Sequence, residues 1–127
     1  MEEKKSSSSM FEVESDTTLH AYTALIQKSP SIVMVSMEKC GPCKVIKPTF
    51  LHLQTQYPEI QFVYFCSSHQ NSLHQQKILK SLQVESAPTF LFYRDGVIKQ
   101  RLHAPTSPLL TVTVQQFGLM SSQLAKK

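Results

Sequence analysis

Two cysteines separated by two residues are the part of this sequence best suited to chemistry. Cys40 and Cys43 enclose Gly41 and Pro42. A thiol pair at this spacing is typical of a redox-active disulfide or of half a metal site. The thiolate is the reactive form, and an ordinary cysteine, with a pKa of about 8.5, is only a few per cent ionised at neutral pH. A redox role therefore requires surroundings that favour the negative charge.

The residues after the pair predict such surroundings. Apolar side chains recur there at helical steps of four, three and four: Ile46, Phe50, Leu53 and Tyr57. A helix that begins at the motif would place Cys40 at its N-terminus, where unpaired amides and the partial positive pole stabilise an anion. Lys39 and Lys44 add positive charge nearby. We expect Cys40 to be the more acidic thiol of the pair.

The elements around this helix alternate between strand and helix patterns. Residues 10–14 predict a short edge strand. Ser15 and Asp16 are candidate caps for a first helix, which ends at Ser29-Pro30. Its apolar positions are Leu19, Tyr22, Leu25 and Ile26. Residues 31–37 form a short apolar run typical of a buried parallel strand.

The middle of the chain continues the alternation of strand and helix patterns. Pro48 lies inside the apolar stripe after the motif and should bend that helix without ending it. Residues 61–66 predict another buried strand, and residues 72–82 predict a helix with one apolar face. Both elements fit a parallel sheet covered by helices.

The last third predicts a hairpin followed by a helix. Residues 89–93 and 97–102 read as two strands joined by a tight turn that contains Asp95-Gly96. Ser107-Pro108 is a candidate N-cap and first helical position, and Gly118 is the expected end of the final helix. The resulting order, βαβαβαββα, predicts an α/β fold with a central mixed sheet of four to five strands and helices on both faces.

Length and composition restrict the class of protein. A chain of 127 residues with 41% hydrophobic residues fits one domain, which we place at residues 10–120, between a disordered tail over 1–9 and a short tail over 121–127. Three cysteines are too few for a secreted disulfide framework, and no secretion signal is evident. We therefore expect a cytoplasmic protein.

The net charge of +4 comes from scattered lysines without an Arg-rich or repeated aromatic motif, so nucleic-acid binding is not expected. A basic rim that faces acidic partners is the use we favour for this charge. No apolar run approaches the roughly 18 residues of a membrane helix. The expected state is a monomer without membrane attachment.

The motif and its context resemble the thioredoxin family. Cys-Gly-Pro-Cys lies between a predicted strand and a helix that contains Pro48, and Ala87-Pro88-Thr89-Phe90 is similar to the family's cis-proline segment. The hairpin around Asp95-Gly96 is similar as well, so the resemblance spans roughly residues 10–120. It implies a thioredoxin fold, with Cys40 as the attacking nucleophile and Cys43 as the resolving thiol. Gly41 and Pro42 suit the tight helix entry between them, because glycine tolerates an unusual backbone conformation and proline fits an early helical position.

The resemblance also implies how substrates bind. Pro88 in cis would place the backbone of Ala87 beside the sulfurs, where it pairs with an extended substrate peptide. Lys39 would form part of the same groove. Expected partners are disulfide-containing proteins and a thioredoxin reductase, which passes on reducing equivalents from NADPH; no bound cofactor is expected.

Several positions depart from the family pattern. The usual Trp before the first cysteine is Lys39, and the usual Trp at position 36 is a serine. The buried acid six residues before the first cysteine, which helps to deprotonate the resolving thiol, is Met34, so the mixed disulfide should be released slowly. Near the active site, Ala104 or a neighbour replaces the usual glycine.

Other interpretations of the cysteines remain open at this stage. The pair could be inert packing or half of a zinc site, although zinc requires four ligands and Cys66 shows no ligand spacing with His52 or His74. Cys66 itself is interpreted as a core or strand-end residue rather than a regulatory thiol. The other histidines, His20, His69 and His103, form no triad or metal pattern.

The motif and its departures from the family pattern support two functions. The first is a protein-disulfide reductase that cycles Cys40 and Cys43 between dithiol and disulfide. The alternative is a thioredoxin-fold adaptor or redox-sensing interaction protein, which uses the groove around Lys39 and Pro88 to hold a partner. The loss of the acid at Met34 and of both tryptophans motivates the alternative.

Overall fold

The computed structural model describes residues 10–125, with side chains up to residue 120. The predicted tail over residues 1–9 lies outside the described residues, as do positions 126 and 127. The elements, in chain order, are β1 (Phe11–Glu12), α1 (Leu19–Lys28), β2 (Ser31–Met37), α2 (Gly41–Gln56), β3 (Gln61–Ser67), α3 (Leu73–Leu82), β4 (Thr89–Arg94), β5 (Val97–His103) and α4 (Ser107–Ala125). The predicted order βαβαβαββα is confirmed. No helix in this part of the chain is long and apolar enough to cross a membrane.

The five strands form one mixed sheet in the order β1-β3-β2-β4-β5. β2 pairs in parallel with β3, which also pairs in parallel with β1, whereas β4 is antiparallel to both β2 and β5. Helical crossovers between parallel strands place helices on both faces of a sheet. The central strand β2 is buried from Ser31 to Ser36, as its continuous apolar sequence predicts.

Alternate residues of the strands build two separate cores. On the face covered by α2 and α4, the strands contribute Met34, Phe62 and Phe90 to a cluster that also contains Phe50 and Cys43. On the face covered by α1 and α3, the buried residues are Val13, Tyr22, Ile26, Val33, Val35, Val63, Phe65, Ile78, Leu82, Leu91 and Tyr93. The first of these two faces carries the cysteine motif.

The first helix begins later than predicted. Thr18, not Ser15 or Asp16, is its N-cap, and the Thr18 hydroxyl accepts a hydrogen bond from the Ala21 amide. Tyr22 is buried on the inner face as expected, whereas Leu19 is 37% exposed because it lies in the first turn, beyond the edge of the core. The prediction chose the wrong N-cap because Thr, Ser and Asp all favour this position.

The last helix contradicts the prediction that Gly118 ends it. The helix α4 continues through Gly118 to Ala125. A Cβ on Gly118 would lie 3.2 Å from two ring atoms of Tyr57, so the glycine allows α4 to pack closely against the end of α2. The start also differs from the prediction, because Ser107 is helical and the Thr106 hydroxyl accepts from the Leu109 amide.

The hairpin prediction is confirmed. β4 and β5 are joined by Asp95 and Gly96, whose φ values of 57° and 77° are both positive. Two consecutive left-handed residues make the type of turn that matches the twist of antiparallel strands. The hairpin brings Thr89 and His103, at the opposite ends of the two strands, to the edge of the sheet where β2 ends.

Candidate functional site

The two motif cysteines lie where β2 gives way to α2. Cys40 is the N-cap of α2, and Gly41 and Pro42 are its first two residues. Cys40 and Cys43 form a disulfide, with their Cα atoms 5.3 Å apart. Cys43 is 3% exposed and packs in the core, whereas Cys40 is only half-buried. An incoming substrate sulfur can therefore reach Cys40 but not Cys43.

The sulfur of Cys40 occupies the position of a helix-capping oxygen. The Cys43 amide donates a hydrogen bond to the Cys40 Sγ at 3.2 Å, and the Lys44 amide donates to the Cys40 carbonyl at 3.2 Å. No acidic side chain lies in the first turn of α2. Both the amide and the positive pole of the helix stabilise a thiolate at this sulfur once the disulfide is opened.

The conformation of the motif differs in one respect from expectation. Gly41 has no positive φ, and a Cβ added to it would meet nothing within 4 Å, so the helix entry does not require glycine there. The left-handed residue is Lys39, with φ of 59°. The chain therefore makes its tight turn one residue before Cys40.

A cis peptide bond joins Ala87 and Pro88, as the family resemblance implied. Ala87 packs against the same core cluster as Cys40. The Pro88 carbonyl accepts a hydrogen bond from the Ala104 amide at 2.8 Å. This bond fixes the cis-proline loop to the residue that follows β5.

Ala104 adopts the left-handed conformation, with φ of 44°. A side chain at positive φ is strained, which gives a physical reason for the glycine that the family usually has in this loop. The resemblance offered Ala104 or a neighbour for that position. The backbone geometry selects Ala104.

A cavity of about 250 Å³ lies next to the disulfide. Cys40 and Cys43 form one wall of it, and Tyr64 and Cys66 come from β3. The lining also includes three lysines, Lys39, Lys44 and Lys47. Cys66, which we expected in the core or at the strand end, is a half-buried free thiol in this cavity.

Sequence reasoning missed the contribution of Lys47 and Tyr64. The Lys47 ammonium lies 3.9 Å from the centroid of the Tyr64 ring, a cation–π contact that keeps the charge beside the motif. Lys47 lies one turn beyond Cys43, so helical spacing alone could have placed it on this side of α2. Nothing in the sequence indicates the partner on β3.

Two buried positions that depart from the family pattern carry uncharged side chains. Met34 is fully buried between Phe90 on β4 and Tyr64 on β3. Ser36 is 2% exposed and lines the cavity. The methionine thus lies at a buried position on the motif side of the sheet, and the slow release of the mixed disulfide that we expect from it stays a prediction.

The loop between β2 and α2, residues 38–40, is also tied to the end of β3 and the loop after it. Glu38 accepts from the His69 backbone amide at 3.4 Å, and its carboxylate lies 2.8 Å from the His69 Nδ1 atom. The Glu38 amide donates to the Ser67 carbonyl at 3.1 Å. Within the described residues, no group of three or more His, Cys, Asp or Glu side chains could hold a metal ion.

Comparison with known proteins identifies relatives of this chain. The thioredoxin family model matches residues 12–114. A thioredoxin of Aspergillus fumigatus, Asp f 29, is 30% identical over 105 residues, which cover 81% of this chain and 93% of that protein. The 16 kDa light chain of the flagellar outer arm dynein of Chlamydomonas reinhardtii is 31% identical over 102 residues, which cover 78% of this chain.

Solved structures share the fold. A thioredoxin mutant of Entamoeba histolytica superposes with a TM-score of 0.70 at 25% identity, covering 85% of this chain and 99% of that one. A Plasmodium falciparum thioredoxin gives a TM-score of 0.70 at 21% identity, covering 84% and 98%.

Coverage of the curated relatives is uneven. The chain spans 64% of the dynein light chain and 61% of a thioredoxin-like protein of Acanthamoeba polyphaga mimivirus. The family model nevertheless covers most of this chain, and the cysteine pair, the cis-proline and the mixed sheet are all in place. The chain therefore belongs to the thioredoxin family.

Proposed function

We propose that the chain is a thiol–disulfide oxidoreductase that reduces protein disulfides through Cys40 and Cys43. The observation that carries this proposal is the placement of the half-buried Cys40 sulfur at the N-terminus of α2, where it accepts the Cys43 amide. The Cys43 sulfur is bonded to it in the disulfide. Family membership supports the same chemistry.

The proposed reaction has two exchange steps. The Cys40 thiolate attacks one sulfur of a substrate disulfide, a Cys40–substrate bond forms, and the other substrate sulfur leaves as a thiolate that takes a proton from water. The Cys43 thiolate then attacks the Cys40 sulfur and expels the second substrate thiolate. Two electrons pass from the protein dithiol to the substrate, and the Cys40–Cys43 disulfide is the product form.

The surroundings of the two sulfurs suit these roles unequally. Cys40 is accessible and stabilised as an anion by the helix terminus, whereas Cys43 is buried and must lose its proton inside the core. Met34 offers no carboxylate to accept that proton. We infer that the second step, attack by Cys43, is the slower one.

The dithiol must be regenerated after each cycle. We propose NADPH as the source of electrons, delivered by a thioredoxin reductase, and the cytoplasm as the compartment. Among the solved structures with this fold is a complex of ferredoxin:thioredoxin reductase with thioredoxin f2.

The test is the reduction of insulin disulfides by dithiothreitol with and without the protein. Wild type should accelerate the reaction, Cys40→Ser should give the rate of dithiothreitol alone, and Cys43→Ser should accumulate mixed disulfides. Circular dichroism melting of each variant checks that it folds. Equal rates for wild type and Cys40→Ser would refute the proposal.

The similarity to a dynein light chain favours a second candidate, a thioredoxin-fold adaptor that holds a partner in the groove around Lys39 and Pro88. Affinity capture with Cys43→Ser from cell extract separates the two functions. A reductase should retain many partners that are released by reductant. One partner that is retained by wild type and by both cysteine variants alike would instead support the adaptor.

A further inference from the structure

The positive charge beside the disulfide is concentrated on one side of it. Lys39, Lys44 and Lys47 line one cavity together with Cys40 and Cys43. Salt bridges found within residues 10–120 do not include any of these three lysines. We call these three lysines the lysine rim. Its charges are available to a bound molecule.

One acidic residue lines the same cavity as the lysine rim, and its carboxylate is hydrogen-bonded to His69. Glu38 is the sole carboxylate among the described residues that line the cavity, and it pairs with the His69 side chain and backbone. Three ammonium groups and one carboxylate therefore line the cavity, which leaves an excess of positive charge. The local potential at the Cys40 side of the groove is therefore positive.

One of the three lysines is held in place. Lys47 is only half exposed, and its ammonium rests over the Tyr64 ring at 3.9 Å. Lys39 and Lys44 are exposed, so their ammonium groups face solvent beside the cavity. A charge that is already ordered loses less conformational entropy on binding than a free surface lysine does.

The opposite side of the disulfide has no such excess. Ala87, Pro88 and Ala104 are uncharged, and the cavity beyond them contains Glu85 together with Arg101, so charges of both signs meet there. A peptide that crosses Cys40 thus meets a positive wall on one flank and a largely neutral one on the other. A difference in charge between the two flanks would favour some peptide sequences around a substrate cysteine over others.

We propose that the lysine rim selects disulfides flanked by acidic residues, so that the preferred partner is a protein with an Asp- or Glu-rich segment next to its reactive cysteine. This inference rests on the proposed function, because it names the substrate class of the same site. The carboxylates would pair with Lys39 and Lys44 at the surface and with Lys47 deeper in the cavity. Electrostatic attraction of this kind raises association rates and depends on salt.

Two disulfide-bonded peptides of equal length provide the test, one with three glutamates beside its cysteine and one with three lysines. The reduced protein is mixed rapidly with each, and the second-order rate of reduction is measured. We expect the acidic peptide to react about tenfold faster at about 0.01 M salt and the difference to shrink at about 1 M salt, where screening acts over about 3 Å.

Charge reversal identifies the residues responsible. The double variant Lys39→Glu and Lys44→Glu should lose or invert the preference, whereas Lys77→Glu, an exposed change on α3 behind the sheet, should keep it. The ratio of the two peptide rates is the readout. Any change in the intrinsic reactivity of Cys40 affects both peptides equally and cancels.

The outcomes separate the inference from the proposed function. If wild type reduces both peptides at the same rate, the protein is a reductase without acidic preference and the inference is wrong. If it reduces neither, the proposed function fails, and fluorescence anisotropy with serine-substituted peptides then measures binding directly. Salt-sensitive binding of the acidic peptide alone would sustain the inference, and equal or absent binding would overturn it.

Discussion

The two faces of the sheet are built from alternate residues of the same strands but differ in what they support. On the α2 face, Phe50 packs against Phe62 and Phe90, with ring centroids 5.1 and 5.5 Å away, beneath the disulfide. On the α1 face, the hydroxyls of Tyr22 and Tyr93 lie 3.0 Å apart in a buried hydrogen bond. One core holds reactive sulfurs, and the other holds a polar pair far from them.

The difference between the two faces predicts that stability and reactivity are separable in this fold. Both faces bury large side chains completely, so both contribute to the free energy of unfolding. Only the α2 face fixes the helix whose N-terminus bears on Cys40. A disturbance of either face should destabilise the protein, but a disturbance of the α2 face should also change the chemistry of the cysteine pair.

The largest expected effect comes from matched truncations on the two faces. Phe50→Ala should lower the free energy of unfolding by about 3–5 kcal/mol, and Ile78→Ala, equally buried on the α3 side, by about 2–5 kcal/mol. Urea unfolding measures both. Per folded molecule, insulin reduction should slow in Phe50→Ala and stay unchanged in Ile78→Ala; equal slowing in both would break the comparison.

A carboxylate at position 34 should have opposite effects on the stability of the α2 face and on the rate of the cysteine chemistry. Met34→Asp places an acid in a fully buried site without a partner, which should cost about 3 kcal/mol of stability. The same group could accept the Cys43 proton and speed release of the mixed disulfide by at least about tenfold. Single-turnover kinetics tests this expectation, and an unchanged release rate would show that deprotonation of Cys43 is not limiting.

Removal of one hydroxyl tests the opposite face. Tyr22→Phe leaves the Tyr93 hydroxyl without its buried partner, at a cost of about 1–2 kcal/mol, and should not affect the cysteine pair. Thermal unfolding and insulin reduction, measured on the same samples, check both statements. A slower reduction would mean that the two cores are coupled.

The same pair predicts a pH dependence. Burial raises the pKa of both Tyr22 and Tyr93 above the ordinary value of about 10. Above that pH, tyrosines of the unfolded chain lose protons that the folded protein keeps, so stability falls as pH rises. Between pH 10 and 11, wild type should lose stability more steeply than Tyr22→Phe. An equal loss of stability in wild type and Tyr22→Phe would contradict the account that the buried hydroxyls stay protonated.

The smallest effect concerns left-handed residues near and far from the site. Ala104→Gly, at φ of 44°, should raise stability by about 1 kcal/mol, and Gln83→Gly, at φ of 56° after α3, should do the same. Denaturant unfolding measures the gain. Only Ala104→Gly should also alter substrate rates, since position 104 lies beside the cis-proline loop; its amide still holds the Pro88 carbonyl, but the strained side chain is gone.

The sequence predicted the sheet, the element order and the position of the disulfide because these depend on local patterns. The period of α2 and the Asp95-Gly96 turn need no knowledge of distant contacts. The contact of Lys47 with Tyr64 was out of reach, because it joins a helix and a strand that are separate in the sequence. Gly118 was misinterpreted for the same reason: its small size serves contact with Tyr57, not the end of a helix.

The central claim is that the N-terminus of α2 stabilises the Cys40 thiolate in the reduced protein, and this can be measured directly. The reduced protein is alkylated with iodoacetamide across a pH series, and mass spectrometry identifies the modified residue. We expect Cys40 to react first, with a pKa clearly below the ordinary value of about 8.5. Alkylation of Cys40 with a pKa at or above about 8.5, or faster modification of Cys43, would contradict the account.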